Sequence, residues 1–153
     1  MKKAYIFLIL LIVILDQATK YLANNLISPF RSIELLPFLH LVNVRNTGTA
    51  FGMFRSLGNN TFIIVSIAAI VFITFMLIRE REDHFSLSLI LGGAIGSLID
   101  RLLRGSVIDF VDVFIGRFHW PAFNVADSAL TIGIGLIFIK LIRKGSRGEH
   151  KNA

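Results

Sequence analysis

Cysteine is absent from this chain of 153 residues, which excludes disulfides, thiolate nucleophiles and cysteine-based metal sites together. The motifs His-Glu-x-x-His, Gly-x-Ser-x-Gly and Ser-x-x-Lys, which mark zinc peptidases and two kinds of serine nucleophile, are absent as well. The histidines are dispersed along the sequence, at His40, His84, His119 and His150. We therefore expect neither a metal ion nor a cofactor, and carboxylates offer the best-supplied catalytic chemistry.

Charged residues are scarce: they make up 17% of the chain against 54% hydrophobic residues, and the mean hydropathy is +0.71. Such a composition is typical of an integral membrane protein. The net charge of +6 could indicate a nucleic-acid partner, but no basic run with interleaved aromatic residues is present. Attraction to a membrane surface explains these cations better, so we expect membrane lipid and no nucleic acid as a partner.

Four apolar segments are long enough to cross a bilayer, at about 4–24, 61–78, 86–103 and 122–142. The first follows Met1-Lys2-Lys3 in the manner of a secretory signal, but no small-x-small cleavage site comes after it. Its helical pattern instead continues from Asp16 to Leu22, which indicates a retained span. The sequence therefore predicts a mainly α membrane protein, a four-helix transmembrane bundle forming one domain over residues 1–153.

Two longer loops, at about 28–60 and 104–121, lie on one side of this bundle. In the first loop, strand-like stretches broken by Pro37 and the turn signal Asn46-Thr47-Gly48 predict a small β element. The segment from Ala50 to Phe54 is too short to cross the bilayer and apolar enough to lie in its interface. We expect both features to be extracytoplasmic.

The distribution of basic residues bears on the orientation of the bundle. Four spans place both termini and the charged turn 79–84 on the same side of the membrane. Nine of the 16 lysines and arginines fall on that side and seven on the other. The positive-inside rule therefore favours cytoplasmic termini.

Asp127 opens the fourth apolar segment, where burying a carboxylate in hydrocarbon costs roughly 2.5–3.5 kcal/mol on insertion scales. A functional site is one explanation for this aspartate, and a helix cap or a helix-packing residue is the other. If its helix begins near Pro121, Asp127 lies about 7 Å inside the bundle.

Antiparallel threading brings polar residues of three spans to the membrane face that carries the loops. Within each span these residues are three or four positions apart, so each pair shares one side of its helix. The pairs are Asp16 with Lys20, Ser97 with Arg101, and Asn124 with Asp127, and Asp100 precedes Arg101. If these sides face inward, they enclose one polar pocket near the outer interface.

Several uses of the pocket remain open from the residues alone. Ion or proton transport usually places a site near mid-membrane, often with internal repeats, and the chain shows neither feature. Hydrolysis can use two close carboxylates that share one proton, because like charges oppose double ionisation. Without any chemistry, Asp16 and Lys20 would form a surface ion pair, Asp112 would be a solvated loop charge, and the chain would be a structural membrane subunit.

Five motifs follow one another along nearly the whole chain. They are Asp16-Gln17-Ala18-Thr19-Lys20, Asn46-Thr47-Gly48-Thr49-Ala50-Phe51, Gly92-Gly93-Ala94-Ile95-Gly96-Ser97-Leu98-Ile99-Asp100-Arg101, Val107-Ile108-Asp109-Phe110 and Phe123-Asn124-Val125-Ala126-Asp127-Ser128. This ordered set resembles the bacterial lipoprotein signal peptidase family (signal peptidase II). The resemblance implies an intramembrane aspartic endopeptidase of the bacterial cytoplasmic (inner) membrane. Its substrates would be diacylglyceryl-modified prolipoproteins, cut just before the lipidated cysteine.

The same resemblance implies roles for individual residues. Asp109 and Asp127 would form the catalytic pair, and the choice of Asp109 over Asp112 rests on the resemblance alone. The substrate-binding or supporting residues would be Asp16, Lys20, Asn46, Gly48, Ser97, Asp100, Arg101 and Asn124. Family members usually carry Asn in place of Ser97 and Ala in place of Thr49, and a serine hydroxyl has a shorter reach than an amide. We expect the protein to act as a monomer, with its site near the outer face.

Overall fold

The computed structural model describes residues 3–48, 58–79 and 83–149. Within these ranges the chain forms four long helices and one antiparallel sheet, which confirms the predicted fold class. The helices are α1 (Lys3–Leu26), α2 (Gly58–Arg79), α3 (His84–Arg104) and α4 (Val125–Glu149). The strands are β1 (Ile33–Leu36), β2 (Leu39–Asn46), β3 (Val107–Ile115) and β4 (Phe118–His119). The predicted interfacial segment from Ala50 to Phe54 lies outside the described residues.

All four helices are long and apolar enough to cross a membrane. Helix α3 is the most buried of them and lies at the centre of the bundle, packed against α1, α2 and α4. A core of four buried side chains joins α1, α2 and α3, namely Ile9, Leu77, Leu87 and Leu91. Helix α2 is apolar around its whole circumference and mostly exposed within the protein, as expected for a helix that faces lipid.

Glycines on α3 allow the neighbouring helices to approach it closely. A Cβ atom on Gly92 would lie 2.9 Å from the Cβ of Ile12 on α1, and one on Gly93 would lie 2.5 Å from the carbonyl oxygen of Ala126 on α4. Neither position has room for a side chain. The glycine-rich motif of the third span thus serves helix packing.

The sheet connects the two loops on one side of the bundle. Its strand order is β1-β2-β3-β4, so β2 of the first loop pairs with β3 of the second. The register places Asn46 opposite Val107 and Val44 opposite Asp109, with an irregularity in β2 between Leu41 and Val44. The sequence predicted strands in the first loop only. The second loop also contributes, because the β-branched and aromatic residues of β3 favour a strand.

The sequence predicted that the fourth helix begins near Pro121. In the structure, α4 begins at Val125. Before the helix begins, Phe123 pairs with Val111 of β3 through hydrogen bonds of 2.9–3.0 Å between their backbone groups. This pairing holds Phe123 against the sheet just before the helix begins. Asp127 consequently lies in the first turn of α4, only ~3 Å along the axis from Val125.

Candidate active site

Asn124 and Asp127 together form the N-terminal cap of α4. The Asn124 side-chain oxygen accepts a hydrogen bond from the Asp127 backbone N–H at 2.9 Å. In return, Asp127 Oδ2 accepts one from the Asn124 backbone N–H at 3.3 Å. This reciprocal arrangement is a capping box, and it fixes the Asp127 carboxylate at a helix terminus whose dipole favours negative charge.

Asp109 lies on β3 with both carboxylate oxygens occupied by amide donors. Asn124 Nδ2 donates to its Oδ1 at 2.6 Å, and Asn46 Nδ2 donates to its Oδ2 at 3.0 Å. The β2–β3 register brings Asn46 to this position, and only 2% of the Asp109 surface is exposed. Asn124 therefore contacts both aspartates, one through its side-chain amide and the other through the capping box.

The two carboxylates line the same cavity, which has a volume of about 530 Å³. Asn46 also faces this cavity, and most of the remaining wall is apolar. The remaining lining residues are Trp120, Pro121, Ala122, Phe123, Ser128, Thr131 and Ile132. Because Trp120 and Ile132 are both more than half exposed, the cavity reaches the lateral surface of the bundle.

The environment of Asp109 changes its acidity. Burial, reinforced by the nearby negative charge of Asp127, raises the pKa of Asp109 to about 6. The hydrogen bonds from Asn46 and Asn124, and the positive charge of Lys20, act in the opposite direction and lower that pKa. A proton can therefore be held within this pair of carboxylates at a pH well above the ordinary range of an aspartate.

A second cluster of charged side chains lies close enough to Asp109 for the Lys20 charge to lower its pKa. The Lys20 ammonium lies 2.8 Å from Asp16 Oδ2 and 3.0 Å from Asp100 Oδ2, and all three side chains are completely buried. A surface ion pair, the alternative considered for Asp16 and Lys20, is therefore wrong. The close approach is possible because a Cβ atom on Gly96 would lie 2.5 Å from Asp16 Oδ2.

Gln17 and Arg104 also belong to this cluster, although the sequence did not predict them as site residues. Gln17 donates from Nε2 to Asp16 at 3.1 Å and to Asp100 at 3.2 Å, and Arg104 forms an ion pair with Asp100. The spacing of four residues between Asp100 and Arg104 was a signal that could have identified Arg104. Gln17 offered no comparable signal, because its partners lie mainly on another helix.

Arg101 points away from its neighbour Asp100 and toward the start of α2. Its Nη2 donates to the Gly48 carbonyl oxygen at 3.0 Å, and its guanidinium lies 4.4 Å from the centre of the Phe62 ring. Asn59 Nδ2 donates to the Arg101 carbonyl oxygen at 3.1 Å. The structure thus brings Arg101 and Gly48 together, outside the residues that line the cavity and apart from the Lys20 cluster.

Ser97 and Asp112 lie outside the immediate surroundings of the two carboxylates. Ser97 is partly buried on α3 and is not among the residues that line the cavity. Asp112 is three positions from Asp109 on the same strand, so its side chain projects from the other face of the sheet. There it contacts His119 Nδ1 at 3.0 Å.

Four membrane-spanning helices with two carboxylates in a laterally open cavity define a membrane-embedded protein with the groups needed for acid–base hydrolysis. A family model described as signal peptidase (SPase) II matches residues 8–143, almost the whole chain. The chain therefore belongs to the signal peptidase II family and is a peptidase, as the resemblance implied.

Relatives agree with this assignment. A lipoprotein signal peptidase of Thermodesulfovibrio yellowstonii is 53% identical over 139 residues, covering 91% of this chain and 92% of the relative. A lipoprotein signal peptidase of Halalkalibacterium halodurans is 42% identical over 154 residues, covering 97% of this chain and 99% of the relative. These matches do not support the transporter alternative.

Solved structures resemble the fold closely. One, a bacterial membrane enzyme structure by the in meso method at 2.3 Å resolution, matches with a TM-score of 0.87 and 35% identity, covering 94% of this chain and 90% of that one. A second bacterial membrane enzyme structure by the same method, at 1.9 Å resolution, matches with a TM-score of 0.82 and 36% identity, covering 90% of this chain and 92% of that one. This chain is therefore a multi-pass bacterial membrane protein with the architecture of those enzymes.

Proposed function

We propose that this peptidase removes the signal peptide from prolipoproteins by aspartic catalysis, with Asp109 and Asp127 as the catalytic pair. The observation that carries the proposal is the shared cavity: both carboxylates line it, and Asn124 contacts both of them. Two acids placed in this way divide the work of base and acid between them.

In this mechanism a water molecule lies between the two side chains and the scissile peptide bond. The ionised carboxylate takes a proton from the water while the water oxygen attacks the carbonyl carbon. The protonated carboxyl polarises the carbonyl oxygen. The tetrahedral intermediate then collapses: the carbon–nitrogen bond breaks, and the leaving amine takes up the proton that the first carboxylate had removed from water, which restores the pair to its starting state. The pKa of Asp109, raised to about 6, supports a pair that retains one proton while it loses the other.

The substrate that suits the cavity is a peptide with lipid attached. Its walls are mainly apolar, and Trp120 and Ile132 are exposed where it meets the side of the bundle. A diacylglyceryl chain could stay in the bilayer while the peptide enters laterally, with cleavage just before the lipidated cysteine. Apolar burial would then supply much of the binding free energy, at ~0.8 kcal/mol per methylene.

The supporting residues take distinct parts in this proposal. Asn46 and Asn124 orient Asp109. The Gly48 backbone N–H donates to Asn46 Oδ1, and Arg101 holds the Gly48 carbonyl oxygen, so both support Asn46. We place the protein in the inner membrane as a monomer with cytoplasmic termini, so that the sheet and the cavity lie near the outer face. The excess of basic residues on the terminal side supports that orientation.

The test is a cleavage assay on purified protein with a diacylglyceryl prolipoprotein. We expect wild type to release the signal peptide and Asp127→Asn to fail while still inserting into the membrane. The matched control is Asp83→Asn, which neutralises a carboxylate at the other end of α3 where it pairs with Lys140, and which we expect to cleave normally. Turnover near the wild-type rate in Asp127→Asn would refute the aspartic mechanism.

A further inference from the structure

Among the described residues of the buried charged cluster, only Lys20 contacts carboxylates from two different helices. It lies on α1, pairs with Asp16 of the same helix at 2.8 Å, and pairs with Asp100 of α3 at 3.0 Å. An ammonium in this position satisfies two buried anions at once. Each of these two carboxylates also accepts a hydrogen bond from a backbone N–H group.

Asp16 holds the start of α4. Its Oδ1 accepts a hydrogen bond from the Ala126 backbone N–H at 2.9 Å, while its Oδ2 contacts Lys20. Ala126 is in the first turn of α4 and immediately precedes Asp127. Because the first N–H groups of a helix have no partner within the helix, the carboxylate supplies one and thereby fixes the turn that carries Asp127.

Asp100 holds the strand that carries the other catalytic residue. Its Oδ2 accepts a hydrogen bond from the Ile108 backbone N–H at 3.2 Å, and Ile108 immediately precedes Asp109. On the other side of this residue, the Ile108 carbonyl oxygen accepts one from Asn124 Nδ2 at 3.2 Å. Asp100 is thus attached to the backbone next to Asp109, just as Asp16 is attached to the backbone next to Asp127.

We propose that Lys20 is a positioning residue that sets the separation of the two catalytic aspartates, by joining the carboxylate that holds the Asp127 turn to the carboxylate that holds the Asp109 strand. This inference rests on the proposed function of Asp109 and Asp127. The link runs from Ala126 through Asp16 to Lys20, and from there through Asp100 to Ile108. It joins four elements: α4, α1, α3 and β3.

Global stability alone is a weaker explanation of the cluster. Removing charges from water is costly, and a buried ion pair is often replaceable by apolar residues without loss of stability. The carboxylates of Asp16 and Asp100 instead bind the backbone N–H groups of Ala126 and Ile108, the residues immediately before Asp127 and Asp109. Since a misplacement of about 1 Å in an active site can cost roughly 10²-fold in rate, a fixed separation is worth the desolvation of these groups.

Lys20 also contributes to the charge balance around Asp109. Among the residues that the structure describes, the charged groups that act on Asp109 are Asp127 from α4, Lys20 from α1 and Arg101 from α3. The Lys20 charge lowers the pKa of Asp109, so removing it raises that pKa. A pH profile therefore responds to Lys20 in a way that a loss of packing alone does not produce.

The experiment compares Lys20→Met with wild type in the prolipoprotein cleavage assay. We expect kcat to fall about 10- to 100-fold with KM within about twofold, because the pair is displaced while the substrate surface is intact. We also expect the bend of the kcat/KM profile that reports Asp109 to move to higher pH. Hydrogen exchange should increase at residues 106–111 and 124–129 more than elsewhere in the bundle. Unchanged kcat and an unchanged pH profile would overturn the inference.

Two further variants keep the test decisive. Lys140→Met removes a lysine of the exposed Asp83 pair at the far end of α4 and should keep the wild-type rate and profile. Lys20→Met combined with Asp16→Asn removes one charge of each sign, so it remains foldable if Lys20→Met alone is not. We expect the double variant to retain the kcat defect, and a wild-type kcat there would also overturn the inference.

Failure of this inference is distinguishable from failure of the proposed function. If Asp109→Asn and Asp127→Asn abolish cleavage while Lys20→Met behaves as wild type, only the positioning role is wrong. If either aspartate variant cleaves normally, the catalytic pair itself is wrong, whatever Lys20→Met does.

Discussion

Asp127 combines two properties that appeared as alternatives in the sequence. It caps a helix, because its Oδ2 accepts a hydrogen bond from the Asn124 backbone N–H, and its carboxylate also lines the cavity. The cap explains how a charged side chain is tolerated at the beginning of an apolar segment, since the helix terminus and backbone donors stabilise it. Capping and catalysis are compatible here because the cap needs only one of the two oxygens.

Asp109 and Asp112 allow a matched comparison on one strand. We expect Asp109→Asn to reduce the rate of prolipoprotein cleavage by roughly 10²–10⁴-fold or more, since a general acid or base usually contributes this much to the rate. Asp112→Asn should cleave normally, because Asp112 projects from the other face of the sheet and contacts His119. Initial rates with purified variants measure both. Equal loss in the two variants would contradict the assignment of Asp109.

The pKa of Asp109 can be measured directly. Infrared difference spectra of the protonated carboxyl should give a midpoint near pH 6, because burial and the Asp127 charge both disfavour ionisation. In Asp127→Asn the like charge is gone, so the midpoint of Asp109 should move to lower pH. A midpoint that stays unchanged or rises would show that Asp127 does not act on Asp109.

At the scale of helices and strands, the small residues of α3 determine how closely the site can be assembled. Gly93 faces the carbonyl oxygen of Ala126, next to Asp127, and Gly96 faces the Asp16 carboxylate. The sequence alone shows the glycine-rich motif at 92–96. It did not reveal that the packed partners are the groups that position the site.

Gly93→Ala tests this packing. Its Cβ atom would meet the Ala126 carbonyl oxygen at 2.5 Å, so we expect a loss of about 1–3 kcal/mol of stability and a large decrease in cleavage rate. The control is Gly135→Ala on α4, where a Cβ atom meets nothing within 4 Å. Thermal unfolding in detergent and cleavage rates compare the two. A Gly93→Ala protein as stable and active as Gly135→Ala would be inconsistent with the close contact.

At the scale of the whole molecule, the lateral opening of the cavity bears on substrate choice. We expect a diacylglyceryl prolipoprotein to be cleaved at least tenfold faster than the same precursor without lipid, measured as kcat/KM in mixed micelles. Each buried methylene contributes ~0.8 kcal/mol, so even a few of them would produce this difference. Equal rates for the two precursors would refute binding through the lipid chains.

Orientation in the membrane is testable because the chain contains no cysteine. Single replacements Arg117→Cys, in the turn between β3 and β4, and Lys144→Cys, near the end of α4, both place a thiol at an exposed position. With an impermeant maleimide added to intact cells, we expect labelling at position 117 and none at position 144. The opposite pattern would reverse the proposed orientation.

The sequence by itself determined the number of spans, their approximate positions and the family. Those properties depend on local hydropathy and on short motifs, which can be read without knowing what lies beside them. The exact start of α4 was not determined in this way, because Phe123 pairs with Val111 on a strand that the sequence had not predicted.

Only the tertiary structure decided which polar residues meet. Asp16 and Ala126 are 110 positions apart, and Asn46 and Asp109 are 63 apart, yet each pair shares a hydrogen bond. Helical spacing shows which side of a helix a residue occupies, but not which neighbour faces that side. The register of β2 against β3 and the close packing of α1, α3 and α4 settle those partners, and through them place Asp109 and Asp127 in one cavity.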